Sequence, residues 1–154
     1  MTSIFQDKNI LVTGGTGSIG SEIVRKILQY RPNVVRVFNN DEAELFNLEQ
    51  KLRNYTNVRF LVGDVRDKER LQRAVEDIDF AFHAAALKHV PLCEYNPFEA
   101  VMTNTIGTQN VIKAALSRNV EKVVVISTDK ATNPINTCLL YTSPSPRDLS
   151  TSRM

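Results

Sequence analysis

The sequence predicts an α/β fold in which helices cover both faces of a doubly wound parallel sheet of about five strands. Short apolar runs without polar alternation recur five times, which is typical of strands buried on both faces. Segments with the apolar spacing of amphipathic helices separate these runs. The chain has 154 residues, 42% of them hydrophobic and 23% charged, as expected for one globular domain. Strict alternation of strand and helix predicts parallel strands joined by crossovers.

The elements follow one another in a regular order. The predicted strands are Ile10–Val12, Val34–Phe38, Val58–Val62, Phe80–Phe82 and Val123–Ile126. Helical spacing lies between them, at Ile23, Val24, Ile27 and Leu28, at Leu45, Leu48 and Leu52, at Leu71, Ala74 and Val75, and at Val101, Val111, Ile112 and Ala115. Capping patterns predict helix starts after Asp41, which has Glu44 three residues later, and after Asn96, which precedes Pro97 and Glu99.

Composition excludes several classes of protein. The net charge is +2, and the basic residues are scattered, which argues against a nucleic-acid partner. Cys93 and Cys138 cannot build a disulfide framework and lack zinc-site spacing, so we expect no metal and a cytoplasmic location, with Cys93 packed in the interior. No apolar signal segment and no run of about 18 apolar residues occurs, so no membrane contact is predicted for this chain.

A glycine-rich turn follows the first predicted strand and opens the first helix. It reads Thr13-Gly-Gly-Thr-Gly-Ser-Ile-Gly20, with Gly14, Gly17 and Gly20 at the spacing of a dinucleotide-binding turn. Gly14 permits a tight turn, Gly17 lets the backbone approach a pyrophosphate, and Gly20 permits close helix packing. Such turns can also serve purely as turns. The strand, turn and helix in register favour a Rossmann-like NAD(P) site that also includes Thr16, Ser18 and Ile19.

The end of the second strand bears on the choice of cofactor. Asp41 lies 21 residues after Gly20, near the position of an acidic residue that holds the adenosine ribose. The strand is predicted to end at Phe38, so Asn39 and Asn40 meet the ribose first, and Asp41 is alternatively only a helix cap. No Arg or Lys follows directly to receive a 2′-phosphate, which favours NAD and leaves NADP possible.

Polar and small residues end the other strands. Asp64 and Val65 are placed to meet the adenine, whereas Asp67 better fits a helix start. Ala84, Ala85 and Ala86 would let the nicotinamide ribose lie against the backbone, with plain close packing as the alternative.

The fifth strand leads into a polar segment at the expected mouth of the site. Ser127, Thr128, Asp129 and Lys130 lie at this strand end. A carboxylate beside an ammonium group supplies a proton donor and a proton acceptor, which elimination of water requires, although an Asp-Lys pair also occurs in solvated turns.

These features resemble the extended short-chain dehydrogenase/reductase superfamily over residues 8 to 137. The resemblance rests on the glycine turn, on Gly63–Asp67 and on Asn104–Thr108. Narrower motifs, Ala84–Pro91, Glu94–Pro97 and Ser127–Asn136, resemble the bacterial nucleotide-sugar 4,6-dehydratases of polysaccharide biosynthesis, which usually act on UDP-N-acetylglucosamine.

The resemblance implies a catalytic cycle in which NAD takes a hydride from C4 of the sugar and returns it to C6. It further implies that Lys130 abstracts the C5 proton, Asp129 protonates the departing C6 hydroxyl and Thr128 binds near the C4 oxygen. In the family a Tyr or Met follows the catalytic Lys by eight residues, and a further Lys comes later; here the eighth residue is Cys138.

Other candidates carry competing interpretations. Lys88 is expected near the substrate or the cofactor, with a solvated lysine as the alternative, and Thr103 is expected near the substrate. Asn104 is grouped with these substrate-site residues and is expected to be structural or to relay protons. His83 and His89 fit packing as well as catalysis. The resemblance implies a UDP-sugar partner and a homo-oligomer. Alternative functions are a nucleotide-sugar 4-epimerase of the same fold and a dinucleotide-binding module without turnover.

The last segment differs in character from the rest. Residues 138–154 contain two Ser-Pro pairs and no apolar period. Codons for Cys138–Asp148 can match the transposase adapter of a common sequencing library without a gap. We therefore expect a truncated NAD(P)-binding domain over 1–137, lacking the C-terminal part of its fold and unable to turn over substrate, followed by a non-native, disordered tail over 138–154.

Overall fold

Five parallel strands form one sheet in the computed structural model, which describes residues 3–127. They are β1 (Asn9–Thr13), β2 (Val34–Asn39), β3 (Val58–Val62), β4 (Phe80–His83) and β5 (Lys122–Val125). All four strand pairs are parallel, and their order across the sheet is β3-β2-β1-β4-β5. The progression of the strands reverses between β1 and β4, which confirms the predicted doubly wound sheet.

Helices connect the strands at the places that the apolar spacing predicts. They are α1 (Ser18–Leu28), α2 (Glu42–Leu52), α3 (Lys68–Ala74), α4 (Val90–Tyr95), α5 (Pro97–Val101), a π-helical segment (Met102–Gly107) and α6 (Thr108–Ser117). The last three run on without a break, and α4 is an additional helix that the sequence pattern does not indicate. Over residues 3–127, no helix combines the length and apolarity needed to span a membrane.

Two hydrophobic cores cover opposite faces of the sheet. One joins α1 and α2 to the sheet and includes Ile10 and Val12 of β1. The other joins α3 and α6 to the sheet and includes Leu11 of β1. Alternate residues of one strand therefore enter different cores, and full burial of each such side chain contributes about 1.5–3 kcal/mol.

The outer strands depart from the prediction that all five strands are buried on both faces. Val62 of β3 is 50% exposed, and Val124 of β5 is 45% exposed. Within the described sheet, β3 pairs only with β2, and β5 pairs only with β4. Continuous apolar runs thus identify the strands correctly but overestimate the burial of those at the sheet edges.

A charged residue interrupts the apolar run of β2, the strand between β3 and β1. The Arg36 guanidinium Nη1 donates hydrogen bonds to the carbonyl oxygens of Ala74 at 3.0 Å and Glu76 at 2.5 Å. Ala74 is the last residue of α3 and Glu76 lies two residues beyond it, in the region where the last carbonyls of a helix lack intrahelical partners. Arg36 therefore stabilises the C-terminal end of α3 from within the sheet.

The inward face of the long helical run contains polar residues. Its buried positions are Ala100, Asn104, Gly107, Thr108, Asn110, Val111, Ala114 and Ala115. The prediction that Val101 and Ile112 share this face is wrong, because both are exposed. Small and hydrogen-bonded residues occupy part of the buried stripe, so apolar spacing alone misplaces it.

The predicted helix caps differ in outcome. Asp41 accepts a hydrogen bond from the Glu44 N–H at 2.9 Å, and Asp67 accepts one from the Arg70 N–H at 2.9 Å, as expected. The helix start predicted after Asn96 is confirmed, because α5 begins at Pro97, but the Asn96 side chain makes no N-capping bond and its amide instead donates to the Leu92 carbonyl. Because α4 ends at Tyr95, Asn96 closes that helix as well as preceding α5.

These caps yield a paired test of helix stability. Asp67→Ala removes the acceptor for the Arg70 N–H and should lower the free energy of unfolding by about 1 kcal/mol. Asn96→Ala removes no N-terminal cap and only an exposed side-chain bond to the Leu92 carbonyl, so it should cost distinctly less. Urea unfolding of both variants measures the difference, and an equal loss would contradict the assignment of Asp67 as the cap.

Candidate functional site

The loops that follow β1, β2 and β4 meet at the carboxyl edge of the sheet. The Gly14 N–H donates to the Phe38 carbonyl at 2.8 Å, and the Ala84 N–H donates to the Thr13 carbonyl at 2.9 Å. The glycine turn is thereby fixed between the ends of β2 and β4. This is the position where the strand order reverses, and open α/β sheets bind ligands in the crevice there.

Two glycines of the turn are required by the fold itself. Gly14 has φ +66°, and a Cβ atom there would lie 2.5–2.7 Å from the backbone of Ala84 and Ala85. A Cβ atom on Gly20 would overlap the backbone of Gly14 and Gly15. A side chain at either position would separate the turn from β4 or from α1.

Gly17 is different, because the described residues leave room for a side chain there. Its backbone is extended, with φ −64° and ψ 168°, a conformation open to any residue. A Cβ atom would meet only the Gly14 carbonyl oxygen, at 3.4 Å. Since the described fold does not need a glycine at this position, the free space suits a ligand that approaches the backbone.

The first helix begins in a way that favours an anion. Gly17 is its N-cap and makes no side-chain capping bond, and its first turn contains no acidic residue. By contrast, α2 and α3 are capped by aspartates and have glutamates in their first turns. The leading N–H groups of α1, beside Ser18 and Ile19, together with the helix dipole can hold a pyrophosphate.

The end of β2 contains a polar cluster that the sequence only partly indicates. Asn39 is the last residue of the strand, Asn40 is exposed, and Asp41 serves as the helix cap. The carboxylate Oε2 of Glu44 accepts hydrogen bonds from the Thr16 hydroxyl at 2.5 Å and the Asn39 amide at 3.4 Å. Glu44 is thus a member of this site that sequence reasoning identified only as the partner of a cap.

Asp64 is held in its charged form at the end of β3. Its carboxylate accepts from the Arg66 side chain at 2.6 and 2.9 Å and from the Arg66 N–H at 2.8 Å. These hydrogen bonds from Arg66 hold the pKa of Asp64 below its usual range. Arg66 also pairs with Glu99 of α5 at 2.5 Å, a link that the sequence did not indicate. Val65 is buried in the second core, so only its backbone can face a ligand.

A buried histidine links β1, β4 and α6 behind the turn. The His83 Nδ1 lies 2.6 Å from the Thr13 hydroxyl, and its Nε2 lies 3.0 Å from the Thr108 hydroxyl. The Thr108 hydroxyl donates its proton to the Asn104 carbonyl at 2.6 Å, so Nε2 must donate to Thr108 and Nδ1 must accept from Thr13. Burial lowers the pKa of His83 to about 4, which keeps the ring neutral. The sequence left packing and catalysis open as roles for His83, and this geometry supports packing.

Asn104 holds the loop that follows β4. Its Oδ1 accepts from the Leu87 N–H, and its Nδ2 donates to the Leu87 carbonyl, both at 2.8 Å. The amide thereby fixes the segment that carries Lys88, which is exposed. Of the two roles predicted for Asn104, structural support and proton relay, the geometry supports structural support. Thr103 is half-buried in the π-helical segment.

The remaining candidates lie along the same edge or outside the described residues. Ala84 and Ala85 are half-buried, while Ala86 and Ser127 are exposed. Ala85 also packs against the second core, so close packing is one reason for a small side chain at this position. Thr128, Asp129, Lys130 and residues 138–154 lie outside the described residues. Between residues 3 and 127, no three His, Cys, Asp or Glu side chains gather to hold a metal ion.

Comparison with known protein families shows to which family the chain belongs. A model of the polysaccharide biosynthesis protein family matches residues 10–140. The chain belongs to this family. That membership confirms the resemblance that the narrower motifs indicate.

The curated relatives are longer proteins. An uncharacterized membrane protein of Methanocaldococcus jannaschii is 60% identical over 88% of this chain and 40% of its own length. An inverting UDP-N-acetylglucosamine 4,6-dehydratase of Campylobacter jejuni is 48% identical over 86% of this chain and 40% of that protein. A UDP-glucose 4-epimerase of Rickettsia typhi is 42% identical with the same coverage. The chain thus spans about two fifths of the length of these relatives.

Solved structures share the same architecture. Pen from Bacillus thuringiensis is 50% identical, with a TM-score of 0.88 over 91% of this chain and 43% of that chain. The dTDP-glucose 4,6-dehydratase DesIV from Streptomyces venezuelae, solved with NAD bound, is 31% identical, with a TM-score of 0.73 over 84% and 42%. These structures confirm the predicted Rossmann-like fold.

The buried histidine predicts a pH dependence of stability. In the unfolded chain His83 has its ordinary pKa of 6.5, whereas in the folded chain the pKa is about 4. The unfolded state therefore binds a proton first as the pH falls, and stability is lost progressively from about pH 6.5 to about pH 4. Between pH 7.5 and 5 the free energy of unfolding should fall by about 2 kcal/mol.

Urea unfolding at several pH values measures this loss, with the exposed His89 as the control. His89→Gln should retain the dependence, while His83→Asn, although less stable at neutral pH, should lose most of it. A wild-type chain of equal stability at pH 7.5 and 5 would contradict the buried neutral ring.

Proposed function

We propose that this chain is the dinucleotide-binding part of an NAD-dependent nucleotide-sugar 4,6-dehydratase. The substrate would be UDP-N-acetylglucosamine and the product a UDP-4-keto-6-deoxy sugar for bacterial polysaccharide biosynthesis. The observation that carries the proposal is the beginning of α1, where Gly17 leaves space and the helix lacks a side-chain cap. The 48% identity to the Campylobacter jejuni dehydratase supports the reaction.

The cofactor is proposed to lie along the carboxyl edge of the sheet, within a domain over residues 1–137. Its diphosphate would meet the N–H groups of α1, and its adenosine ribose would meet Asn39 and Asn40. The adenine would lie near Asp64, and the nicotinamide ribose against Ala84–Ala86 and Ser127. The choice of NAD is supported by the absence of a basic residue directly after β2 and by the NAD in the DesIV structure.

Bound NAD supplies a hydride acceptor that oxidises C4 of the sugar, which acidifies the proton at C5. We assign to Lys130 the removal of this proton and to Asp129 the protonation of the departing C6 hydroxyl. Thr128 would hydrogen-bond near the C4 oxygen, and Lys88 and Thr103 would face the UDP-sugar. Neighbouring groups of different pKa suit such paired proton transfers.

A 4-epimerase of the same fold is the second candidate, supported by the 42% identity to the Rickettsia typhi protein. An epimerase needs only reversible oxidation at C4, because no bond to oxygen breaks at C6. The adjacent Asp129 and Lys130 supply an acid and a base that such a reaction would not use. This pair therefore favours the dehydratase.

The turn permits a direct test of dinucleotide binding. Gly17→Ala should weaken NAD binding at least tenfold, because its methyl group fills the space proposed for the diphosphate, and should cost less than about 1 kcal/mol of stability. Gly14→Ala should destabilise the fold itself by more than about 1 kcal/mol, since it forces a side chain to positive φ. Calorimetric titration and urea unfolding of the 154-residue chain measure both quantities.

The results separate the possibilities. Undiminished NAD binding by Gly17→Ala would refute the placement of the diphosphate, and preferential binding of NADP by the wild type would refute the cofactor. Failure of the folded wild type to bind either dinucleotide would refute the site.

The assignment of Asp129 can be tested in a complete enzyme. Residues 1–137 can replace the matching segment of the Campylobacter jejuni dehydratase, and Asp129→Asn is then introduced. We expect elimination of water to slow by about 10²–10⁴-fold, because the general acid is lost. Oxidation at C4 should change far less, so absorbance at 340 nm from reduced cofactor should accumulate in a single turnover.

The unsubstituted chimera serves as the control for folding and for the normal rate of elimination. Equal rates of 4-keto-6-deoxy product formation in both chimeras would refute the role of Asp129. A 4-epimer formed by the control, without loss of water, would favour the epimerase.

A further inference from the structure

We propose that Glu44 is the residue by which this site discriminates against a 2′-phosphate and so selects NAD over NADP. The proposal rests on the dinucleotide site proposed above and adds a specificity-determining residue to it. Its basis is the position of one carboxylate, which hydrogen bonds fix between the glycine turn and the end of β2.

The carboxylate of Glu44 is anchored from two sides. The Thr16 hydroxyl, one residue before Gly17, donates to Oε2 at 2.5 Å. The Asn39 amide, on the last residue of β2, donates to the same oxygen at 3.4 Å. The adenosine ribose of a bound dinucleotide lies at the end of the second strand, beside the glycine turn. Glu44 therefore places a negative charge at the edge of the space assigned to this ribose.

The backbone at the start of α2 directs Glu44 into this position. The Asp41 carboxylate accepts a hydrogen bond from the Glu44 N–H, with Oδ1 2.9 Å from the nitrogen, and this bond orients the first turn of the helix. Glu42, in the same turn, instead lines the groove between α2 and β3 with Phe46 and Val62. Two carboxylates of one helical turn thus face different surfaces, and Glu44 is the one that contacts the glycine turn.

The charge of Glu44 is not neutralised by a neighbouring cation. Within residues 3–127, none of the ion pairs closer than 4 Å involves Glu44. A carboxylate can accept a hydrogen bond from the 2′-hydroxyl of NAD, whereas the 2′-phosphate of NADP carries about −1.5 to −2 charges. Repulsion across about 5 Å in a solvent-exposed site corresponds to roughly a tenfold loss of NADP affinity.

The test compares Glu44→Gln with Glu42→Gln in the 154-residue chain. Glutamine retains the acceptor oxygen for Thr16 and removes only the charge, and thermal unfolding checks that both variants fold. Calorimetric titrations with NAD and NADP give the ratio of their dissociation constants. We expect Glu44→Gln to lower the dissociation constant for NADP, relative to that for NAD, about tenfold at low salt. In 0.5 M NaCl this change should be smaller, because salt screens the repulsion.

The matched variant Glu42→Gln should leave the ratio within about twofold of the wild type. An unchanged ratio in Glu44→Gln, or an equal change in Glu42→Gln, would refute the role of Glu44 while leaving the dinucleotide site intact. A wild type that prefers NADP would also overturn this inference. Binding of neither dinucleotide to the folded wild type would refute the proposed site itself, an outcome distinct from binding with an unaltered ratio.

Discussion

The close contact between Gly14 and the backbone of Ala84 and Ala85 is the constraint on which the site depends. Because a Cβ atom at Gly14 would lie only 2.5 Å from the Ala85 nitrogen, no other residue lets the turn after β1 lie directly against the end of β4. That contact sets the direction in which the chain enters α1. The uncapped beginning of α1 consequently faces the crevice at the point where the strand order reverses.

Behind this contact, a continuous hydrogen-bond network ties the elements of the site together. Thr13 of β1 bonds to His83 of β4, His83 bonds to Thr108 of α6, and Thr108 bonds to the Asn104 carbonyl. The Asn104 side chain in turn holds the backbone of Leu87. Every buried side-chain nitrogen and oxygen of the described residues has a hydrogen-bond partner. A network satisfied in this way permits one arrangement of strand, helix and loop, because any shift would leave a buried polar atom unpaired.

Much of the fold follows from apolar pattern, whereas the polar connections do not. The five strands and the glycine turn were predicted because burial on two faces and tight turns leave direct marks in the sequence. The pairing of Arg66 with Glu99 was not, since it depends on a contact between distant segments. Nor were the short helix α4 and the side-chain bond from Asn96 to Leu92, which no apolar period marks. The inward stripe of the long helical run was misplaced for the same reason. Asn104 and Thr108 are buried because they bond to Leu87 and His83, and no apolar period marks such residues.

The beginnings of the helices show how local rules separate structural from ligand-binding positions. Asp41 and Asp67 cap α2 and α3, so the fold itself satisfies the first N–H groups of these helices. At α1 the cap position is Gly17, which offers no acceptor, although a Ser or Asp would stabilise an isolated helix more. When a helix beside a crevice has no side-chain cap, its first N–H groups can donate hydrogen bonds to a bound anion. The same logic gives the first turn of α2 two functions, since Asp41 completes the helix and leaves Glu44 directed at Thr16.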